Sequence, residues 1–168
     1  KRELAQLLCE DEENVRIVIR DAGGSYGPRN ALYVEHALVL WASKRLRRPV
    51  KWTSDRTESM LTDYQARDLV IDAAIGFDAD GRITALHTHN TSNIGAHSAS
   101  WIPLVKGIEI TTVLYKIPSA SARAVAVQTN TPPTYPYRSA GRPEVMYARD
   151  RMMDMAAAAT GIDRIEIR

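Results

Sequence analysis

Alternating apolar and polar positions predict a β-hairpin in the middle of the chain. Apolar residues stand at every second position from Leu69 to Phe77, and a second alternating run opens at Ile83. The intervening residues 78–81 contain two aspartates and a glycine, which favour a tight turn. Shorter runs containing β-branched residues predict further strands at 15–20, 49–53 and 122–128.

Apolar residues spaced three and four positions apart predict three helices. The first covers residues 2–8, the second runs from an N-cap at Asn30 to about Arg47, and the third begins at Pro143 and ends at Gly161. The apolar face of the third helix is predicted to consist of Val145, Ala148, Met152, Met155 and Ala159.

Two other stretches carry weaker patterns. Residues 90–118 are interrupted by glycine and proline and are predicted to form a loop, and Asp163 is expected to cap a further helix. Together the elements predict an α/β (α+β) fold, in which a mixed sheet with a β-hairpin is flanked by helices. A chain of 168 residues fits one domain or two tightly joined subdomains.

Composition and charge narrow the function classes. The formal net charge is only +2, and the basic cluster at residues 44–48 lies where the second helix is predicted to end, so a nucleic-acid surface is not expected. No apolar run approaches the ~20 residues of a membrane span. Residues 1–8 are too charged for a secretory signal, which makes the cytoplasm the expected compartment. Cys9 is the single cysteine, so an intrachain disulfide is excluded.

Two glycine-containing loops carry the candidate chemistry. The first loop, residues 21–27, follows the predicted strand at 15–20, and the second loop, residues 137–142, precedes the last long helix. Each loop is predicted to lie at the entrance of a helix. Unpaired peptide N–H groups at a helix entrance favour an anion, and glycine lets the anion approach the main chain. The prolines within residues 131–136 lower the entropy cost of ordering the second loop. The two loops together predict a site for one large anionic cofactor.

A nicotinamide-binding fold is one alternative, because a strand, a glycine turn and a helix also open dinucleotide-binding units. The G-x-G-x-x-G fingerprint is incomplete, since Ala22 stands at the position of its first glycine. Asp55, the candidate ribose ligand, lies well beyond the usual interval of about 20 residues. The alternative therefore fits poorly.

A metal bound by side chains is another alternative. His87 and His89 would share one face of a strand, and His97 follows in the next loop. No carboxylate or cysteine spacing completes a ligand set, so a metal held directly by side chains is not predicted. His36 is interpreted as packed or hydrogen-bonded.

Three segments, taken in order, resemble one known family. They are residues 15–27 (VRIVIRDAGGSYG), 48–58 (RPVKWTSDRTE) and 137–144 (YRSAGRPE). This order is similar to that in the molybdenum-binding large subunit of the xanthine dehydrogenase, aldehyde oxidase and carbon monoxide dehydrogenase family. The family's large subunit is several times longer, so residues 1–168 resemble only part of its first molybdopterin-binding domain.

The resemblance implies a cofactor, a reaction and partners. The cofactor would be molybdopterin with molybdenum, in the cytosine dinucleotide form if the source is bacterial, and the metal would be held by pterin sulfurs rather than by side chains. The reaction would be oxidative hydroxylation of an aldehyde or heteroaromatic substrate with water. The partners would be the remainder of the large subunit, an iron–sulfur small subunit and an FAD-binding medium subunit. The implied cofactor-binding residues are Gly23, Gly24, Ser25, Tyr26, Gly27, Arg138, Ser139, Ala140, Gly141 and Arg142.

Three departures from the family's pattern bear on the substrate. Ser25 replaces the usual third glycine of the first loop, and Tyr26 replaces the usual phenylalanine, which adds a hydroxyl near the expected substrate position. Ser139 stands where true carbon monoxide dehydrogenases carry their catalytic cysteine. Oxidation of carbon monoxide is therefore disfavoured.

No residue matches the motif of the family's catalytic glutamate, so no catalytic residue is assigned within this chain. Glu58 and Glu144 are interpreted as a solvated acid and a first-turn helix acid. The leading hypothesis is a segment of a molybdenum hydroxylase large subunit that binds molybdopterin. The chain alone would then be inactive, and the second hypothesis is a noncatalytic cofactor-binding or assembly piece. A nicotinamide-dependent oxidoreductase is the third.

Overall fold

Two units, Lys1–Asp63 and Tyr64–Arg168, make up the computed structural model, which describes every residue from 1 to 168. The first unit is helical. The second unit contains the sheet. None of the helices is both long and apolar enough to cross a membrane.

The first unit consists of three helices and two short 3-10 turns. The helices are α1 (Arg2–Leu8), α2 (Val34–Leu46) and α3 (Arg56–Thr62), and the 3-10 turns are Glu12–Asn14 and Pro28–Asn30. Helix α1 lies against α2. The apolar residues between them form the core of this unit: Leu4, Ala5, Val15, Leu32, Ala37 and Leu40.

Three predictions for the first unit are wrong. Residues 15–20 and 49–53 are not strands, because a strand requires a hydrogen-bonded neighbour and the sheet contains neither run. Ile19 is accordingly 78% exposed. Helix α2 begins at Val34 rather than after Asn30, which ends a 3-10 turn. The capping residue is Tyr33, whose backbone N–H donates to Nδ1 of His36 at 3.3 Å.

The second unit is a three-stranded mixed sheet with two helices. Its elements are β1 (Leu69–Phe77), β2 (Ile83–Gly95), α4 (Ile102–Glu109), β3 (Ser119–Gln128) and α5 (Arg142–Thr160). The strand order is β1-β2-β3, with β1 antiparallel and β3 parallel to β2. Helix α5 packs on β1, and α4 packs on β2 and β3. The predicted hairpin, mixed sheet and flanking helices are therefore confirmed.

The prediction of a loop over residues 90–118 is wrong. Strand β2 continues to Gly95, and α4 follows it. Parallel strands need a crossover of about a dozen residues or more, usually helical, and α4 supplies it. Pro103 lies in the first turn of α4, where proline is tolerated, and Gly107 allows close packing, since an added Cβ would lie 3.1 Å from Val145. Both apparent helix breakers thus suit a helix here.

Helix α5 has the predicted extent, but its buried face differs from the predicted one. Met155 is 58% exposed and Ala159 is also exposed, whereas Arg149, which was not predicted to face the core, is buried. The Arg149 guanidinium donates to the Val113 carbonyl at 2.6 Å and lies 5.1 Å from the Tyr115 ring centre. An arginine with these partners can occupy a core position that a hydrophobicity pattern assigns to solvent. The buried residues of α5 are Val145, Arg149, Met153, Ala156 and Ala157.

Asp163 caps a turn rather than a helix. Its Oδ1 accepts hydrogen bonds from the N–H groups of Ile165 at 2.8 Å and Glu166 at 3.4 Å. The N–H of Ile167 donates to the Asp163 carbonyl at 3.0 Å. The predicted capping role is confirmed, whereas the structured segment after it is a single turn.

Candidate functional site

The first loop, residues 21–27, has an exposed backbone with left-handed positions. Gly24, Tyr26 and Gly27 have φ angles of 111°, 54° and 120°. The N–H groups of Gly23, Gly24 and Ser25 have no acceptor within the chain. The loop therefore presents several peptide N–H donors to a ligand.

The prediction that this loop enters a helix is wrong. Gly27 leads into a 3-10 turn of three residues, and Pro28 at its start has no N–H to donate. Helix α2 begins only at Val34. A helix dipole therefore does not assist the first loop, whose attraction for an anion depends on its own amides.

Gly23 and Gly24 differ in what an added side chain would meet. At Gly24 an added Cβ would lie 2.8 Å from the Tyr26 ring, and the φ of 111° disfavours other residues. At Gly23 an added Cβ would meet nothing within 4 Å. The positive φ therefore explains glycine at 24, whereas neither backbone conformation nor packing explains it at 23, where close approach by a ligand would.

The second loop, residues 137–142, enters a long helix as predicted. Gly141 is the N-cap of α5, with φ 80°. Within the loop, the N–H of Ala140 donates to the Tyr137 carbonyl and that of Arg142 to the Ser139 carbonyl, at 2.8 and 3.0 Å. The amides of Ala140 and Arg142 are thus already engaged.

The donors that remain in the second loop suit an anion. The N–H groups of Arg138, Ser139 and Gly141 have no acceptor within the chain. The side chains of Arg138 and Arg142 form no ion pair in the structure, and both residues are exposed. Peptide donors at the start of a 19-residue helix, with two arginines beside them, form a favourable environment for a phosphate group.

Gly141 fixes the second loop against α4. A Cβ added to Gly141 would lie 2.2 Å from the Pro103 carbonyl oxygen and 2.9 Å from the Gly107 nitrogen. Both distances are shorter than a carbon atom can accept, so no other residue fits without displacing the backbone. The loop position is thus determined by packing within the second unit.

The segment leading to the second loop is held by residues 64–66. The N–H of Gln65 donates to the Pro133 carbonyl at 3.1 Å, and the N–H of Tyr135 donates to the Gln65 carbonyl at 2.9 Å. The Gln65 amide also donates to the Pro132 carbonyl at 2.7 Å, and the Tyr64 and Tyr135 rings stack with centres 5.1 Å apart. These bonds add to the restriction that the prolines impose.

Arg67 is a residue of this site that the sequence did not indicate. Its backbone has φ 62°, a left-handed conformation that costs a residue with a side chain roughly 1–2 kcal/mol. Its guanidinium donates to the Arg138 carbonyl at 2.6 Å and to the Glu144 carboxylate at 3.1 Å, and it lies 4.9 Å from the Tyr137 ring centre. These partners are about 70 residues away in the chain, so no local pattern could reveal them.

The alternative sites gain no support. His87 and His89 share one face of β2, but no group of three or more His, Cys, Asp or Glu side chains is arranged to hold a metal ion. Asp55, considered as a ribose ligand, instead caps α3 by accepting the Glu58 N–H at 2.7 Å. The unit that carries the first loop contains no strand, and a dinucleotide-binding unit requires one.

Two carboxyl groups outside the loops have a lowered pKa. A hydrogen bond from Lys44 at 2.5 Å, together with its charge, lowers the pKa of Glu10. A hydrogen bond from Arg168 at 2.7 Å lowers the pKa of Asp154. Both are surface ion pairs, and neither indicates acid–base chemistry.

The structure groups the predicted residues into two sets. Those of the first loop belong to the unit Lys1–Asp63, and those of the second loop belong to the unit Tyr64–Arg168. Their joint use by one ligand stays a prediction.

Comparison with known proteins gives one consistent result. The sequence profile of the family described as "Molybdopterin cofactor-binding domain" matches residues 1–168. The chain is 36% identical to the 6-hydroxypseudooxynicotine dehydrogenase complex subunit gamma of Paenarthrobacter nicotinovorans, over 100% of this chain and 21% of that protein. It is 35% identical to the carbon monoxide dehydrogenase large chain of Hydrogenophaga pseudoflava, over 94% of this chain and 20% of that protein.

A solved structure of similar fold supports the same family assignment. Quinoline 2-oxidoreductase from Pseudomonas putida 86 superposes with a TM-score of 0.94 at 30% identity, over 99% of this chain and 22% of that chain. The chain thus spans about a fifth of the length of the two relatives described above.

Proposed function

Because the chain belongs to the molybdopterin cofactor-binding domain family, we propose that its two glycine loops hold the cofactor in a molybdenum hydroxylase large subunit. The observation that carries the proposal is the set of peptide N–H groups without acceptors at residues 23–25 and at residues 138, 139 and 141. Such donors match the phosphate oxygens of a dinucleotide cofactor.

The second loop has the residues to hold a phosphate. Exposed Arg138 and Arg142 supply guanidinium groups that can bind two oxygens at once, and the amides of Ser139 and Gly141 supply neutral donors. In the first loop, the open space around Gly23 lets a bulky group reach the main chain. When bound, the cofactor would supply the redox chemistry of oxidative hydroxylation by water.

The cytosine dinucleotide form, the substrate and the partners are finer parts of this proposal. Of the heteroaromatic and aldehyde substrates in this proposal, the heteroaromatic class is supported by the relatives named for 6-hydroxypseudooxynicotine and for quinoline. Ser139 in place of the expected cysteine argues against carbon monoxide. Electrons would leave through an iron–sulfur subunit and an FAD-binding subunit, and the expected location in the cytoplasm belongs to the same proposal.

The test is molybdenum retention by the complete large subunit produced with mature cofactor. We expect about one molybdenum and one releasable cytidine nucleotide per large subunit, measured by elemental analysis and chromatography. Changing both Arg138 and Arg142 to Met should reduce retained molybdenum at least about tenfold, since each substitution removes hydrogen bonds to a charged group. Arg123→Met is the matched control, because Arg123 is exposed on β3 outside both loops.

Four results would decide among the hypotheses. A wild-type subunit without molybdenum, or equal loss in the control, would contradict the proposal. Molybdenum without a released nucleotide would reject only the dinucleotide form. Substrate-dependent dye reduction by the 168-residue chain alone, after cofactor loading, would contradict the view that this chain lacks the catalytic base.

A further inference from the structure

The Arg67 side chain connects the second loop to the first turn of α5. Its Nη2 donates to the Arg138 carbonyl at 2.6 Å, and its Nη1 lies 3.1 Å from the Glu144 carboxylate. The guanidinium also lies 4.9 Å from the Tyr137 ring centre. The planar group thus contacts both the start of the second loop and the first turn of α5.

The contact with Arg138 fixes the direction of a peptide group in the second loop. In a trans peptide the carbonyl of one residue and the N–H of the next point in opposite directions. The chain has no cis peptide bonds. Holding the Arg138 carbonyl toward Arg67 therefore directs the Ser139 N–H away from Arg67. That N–H is one of the donors without an acceptor in the chain.

The contact with Glu144 changes the charge at the start of α5. The Glu144 side chain is only 12% exposed, so water screens its carboxylate weakly. A carboxylate in the first helical turn is favourable for the helix but opposes binding of a second anion there. Arg67, whose side chain is 31% exposed, neutralises this carboxylate at short range.

The backbone of Arg67 indicates that its position is demanding. The residue holds a left-handed φ of 62° two positions before the start of β1. Such conformations persist only where surrounding contacts enforce them, and they are frequent at binding sites. The hydrogen bonds of Gln65 to Pro133 and Tyr135 on one side, and the start of β1 on the other, enforce it here.

We propose that Arg67 is a positioning residue for anion binding by the second loop: it directs the Ser139 amide outward and neutralises Glu144. The inference rests on the proposed function, because the anion is the phosphate of the cofactor. A purely structural ion pair would stabilise the unit but would not couple cofactor retention to the charge of Glu144.

The experiment uses the complete large subunit produced with mature cofactor, and it compares Arg67→Met, Arg67→Lys and Arg67→Met/Glu144→Gln with wild type. Arg67→Met should reduce molybdenum retained after dialysis about tenfold or more, as expected for one lost charged hydrogen bond. Arg67→Lys should retain an intermediate amount of molybdenum, because lysine keeps the positive charge but lacks the planar guanidinium that bonds to two acceptors at once. The double variant should recover part of the loss, since the unpaired carboxylate is removed.

Arg82→Met is the matched control, because Arg82 also pairs with an acid, Asp80 at 3.1 Å, in the exposed hairpin turn. It should retain as much molybdenum as wild type. Equal retention by Arg67→Met would overturn the inference. Loss that follows the melting temperature across all variants, with no recovery in the double variant, would also overturn it and would assign Arg67 a structural role.

A cofactor-independent measurement separates this inference from the proposed function. The amide protons of Ala140 and Arg142 form hydrogen bonds within the loop. They should exchange with solvent at least about fivefold faster in Arg67→Met than in wild type or Arg82→Met. If wild type retained no molybdenum, the proposed function would fail, and unchanged amide exchange would then overturn the positioning role as well.

Discussion

Replacement of Gly141 by alanine is the most informative single perturbation of the second loop. Gly141 caps α5 with φ 80°, and its Cα faces α4 at close range. An alanine Cβ would lie 2.2 Å from the Pro103 carbonyl oxygen and 2.9 Å from the Gly107 nitrogen. Neither contact is with a flexible side chain, so the backbone of α4 or of the loop must move.

Two effects set the magnitude. A left-handed alanine costs about 1 kcal/mol relative to glycine. Forcing a buried methyl group into filled space costs a further 1–3 kcal/mol or so. The expected loss of unfolding free energy is therefore about 2–4 kcal/mol, a large fraction of the total for an ordinary domain.

The assay is urea unfolding of Gly141→Ala, with Gly161→Ala as its matched control. Gly161 has a similar φ of 76°, but an added Cβ would meet nothing within 4 Å. The control should therefore lose only the backbone contribution of about 1 kcal/mol. The difference between the variants isolates the clash with α4. If the two variants agreed within about 0.5 kcal/mol, the inference that packing fixes the loop would be refuted.

Three further predictions concern other positions. Gly23→Ala should leave the unfolding free energy unchanged within about 0.5 kcal/mol, because its Cβ meets nothing, yet should lower molybdenum retention; unchanged retention would show that no ligand approaches there. Lys44→Met should raise the pKa of Glu10 toward its ordinary value of 4.5, as measured by carboxyl NMR titration. Because the folded pKa is lowered, the stabilisation is present above that ordinary value and is lost as pH falls through the folded pKa, so the stability difference from wild type should shrink with acidification. Asn90→Leu should be neutral or stabilising by about 1 kcal/mol in urea unfolding, because Asn90 is 1% exposed and neither polar atom of its amide has a partner; a loss above about 2 kcal/mol would contradict this.

Much of the second unit was predictable because its signals are local. The hairpin follows from alternation and a glycine turn, and α5 follows from Pro143 at its start and Gly161 at its end. Helix α4 was missed because Pro103 and Gly107 are helix breakers by composition. Their tolerance depends on the position of one in the first turn and on the packing of the other, which only the tertiary structure determines.

In the first unit, by contrast, a local sequence pattern predicted a strand that does not form. Residues 15–20 have the composition of a strand, but pairing depends on a neighbour that no local pattern specifies. The glycine loops were identified because glycine is needed wherever a backbone is left-handed or closely approached. Arg67 was not predicted because its partners, Tyr137, Arg138 and Glu144, are distant in the sequence. Without knowledge of such partners, an arginine is expected to be a surface residue.

The two loops differ in how far contacts within the chain fix their conformation before a ligand binds. In the second loop, Gly141 packs against α4, Arg67 holds a peptide carbonyl, and Gln65 fixes the approach. In the first loop, Ser25 donates to Asn30 at a long 3.4 Å, and the peptide groups of Gly23 and Gly24 face solvent. Binding that orders a loop loses part of its free energy to entropy, whereas a preorganised loop avoids that cost. If both loops bind the cofactor as proposed, the second loop should contribute more of the affinity, and the first loop should lose more of its binding free energy to ordering.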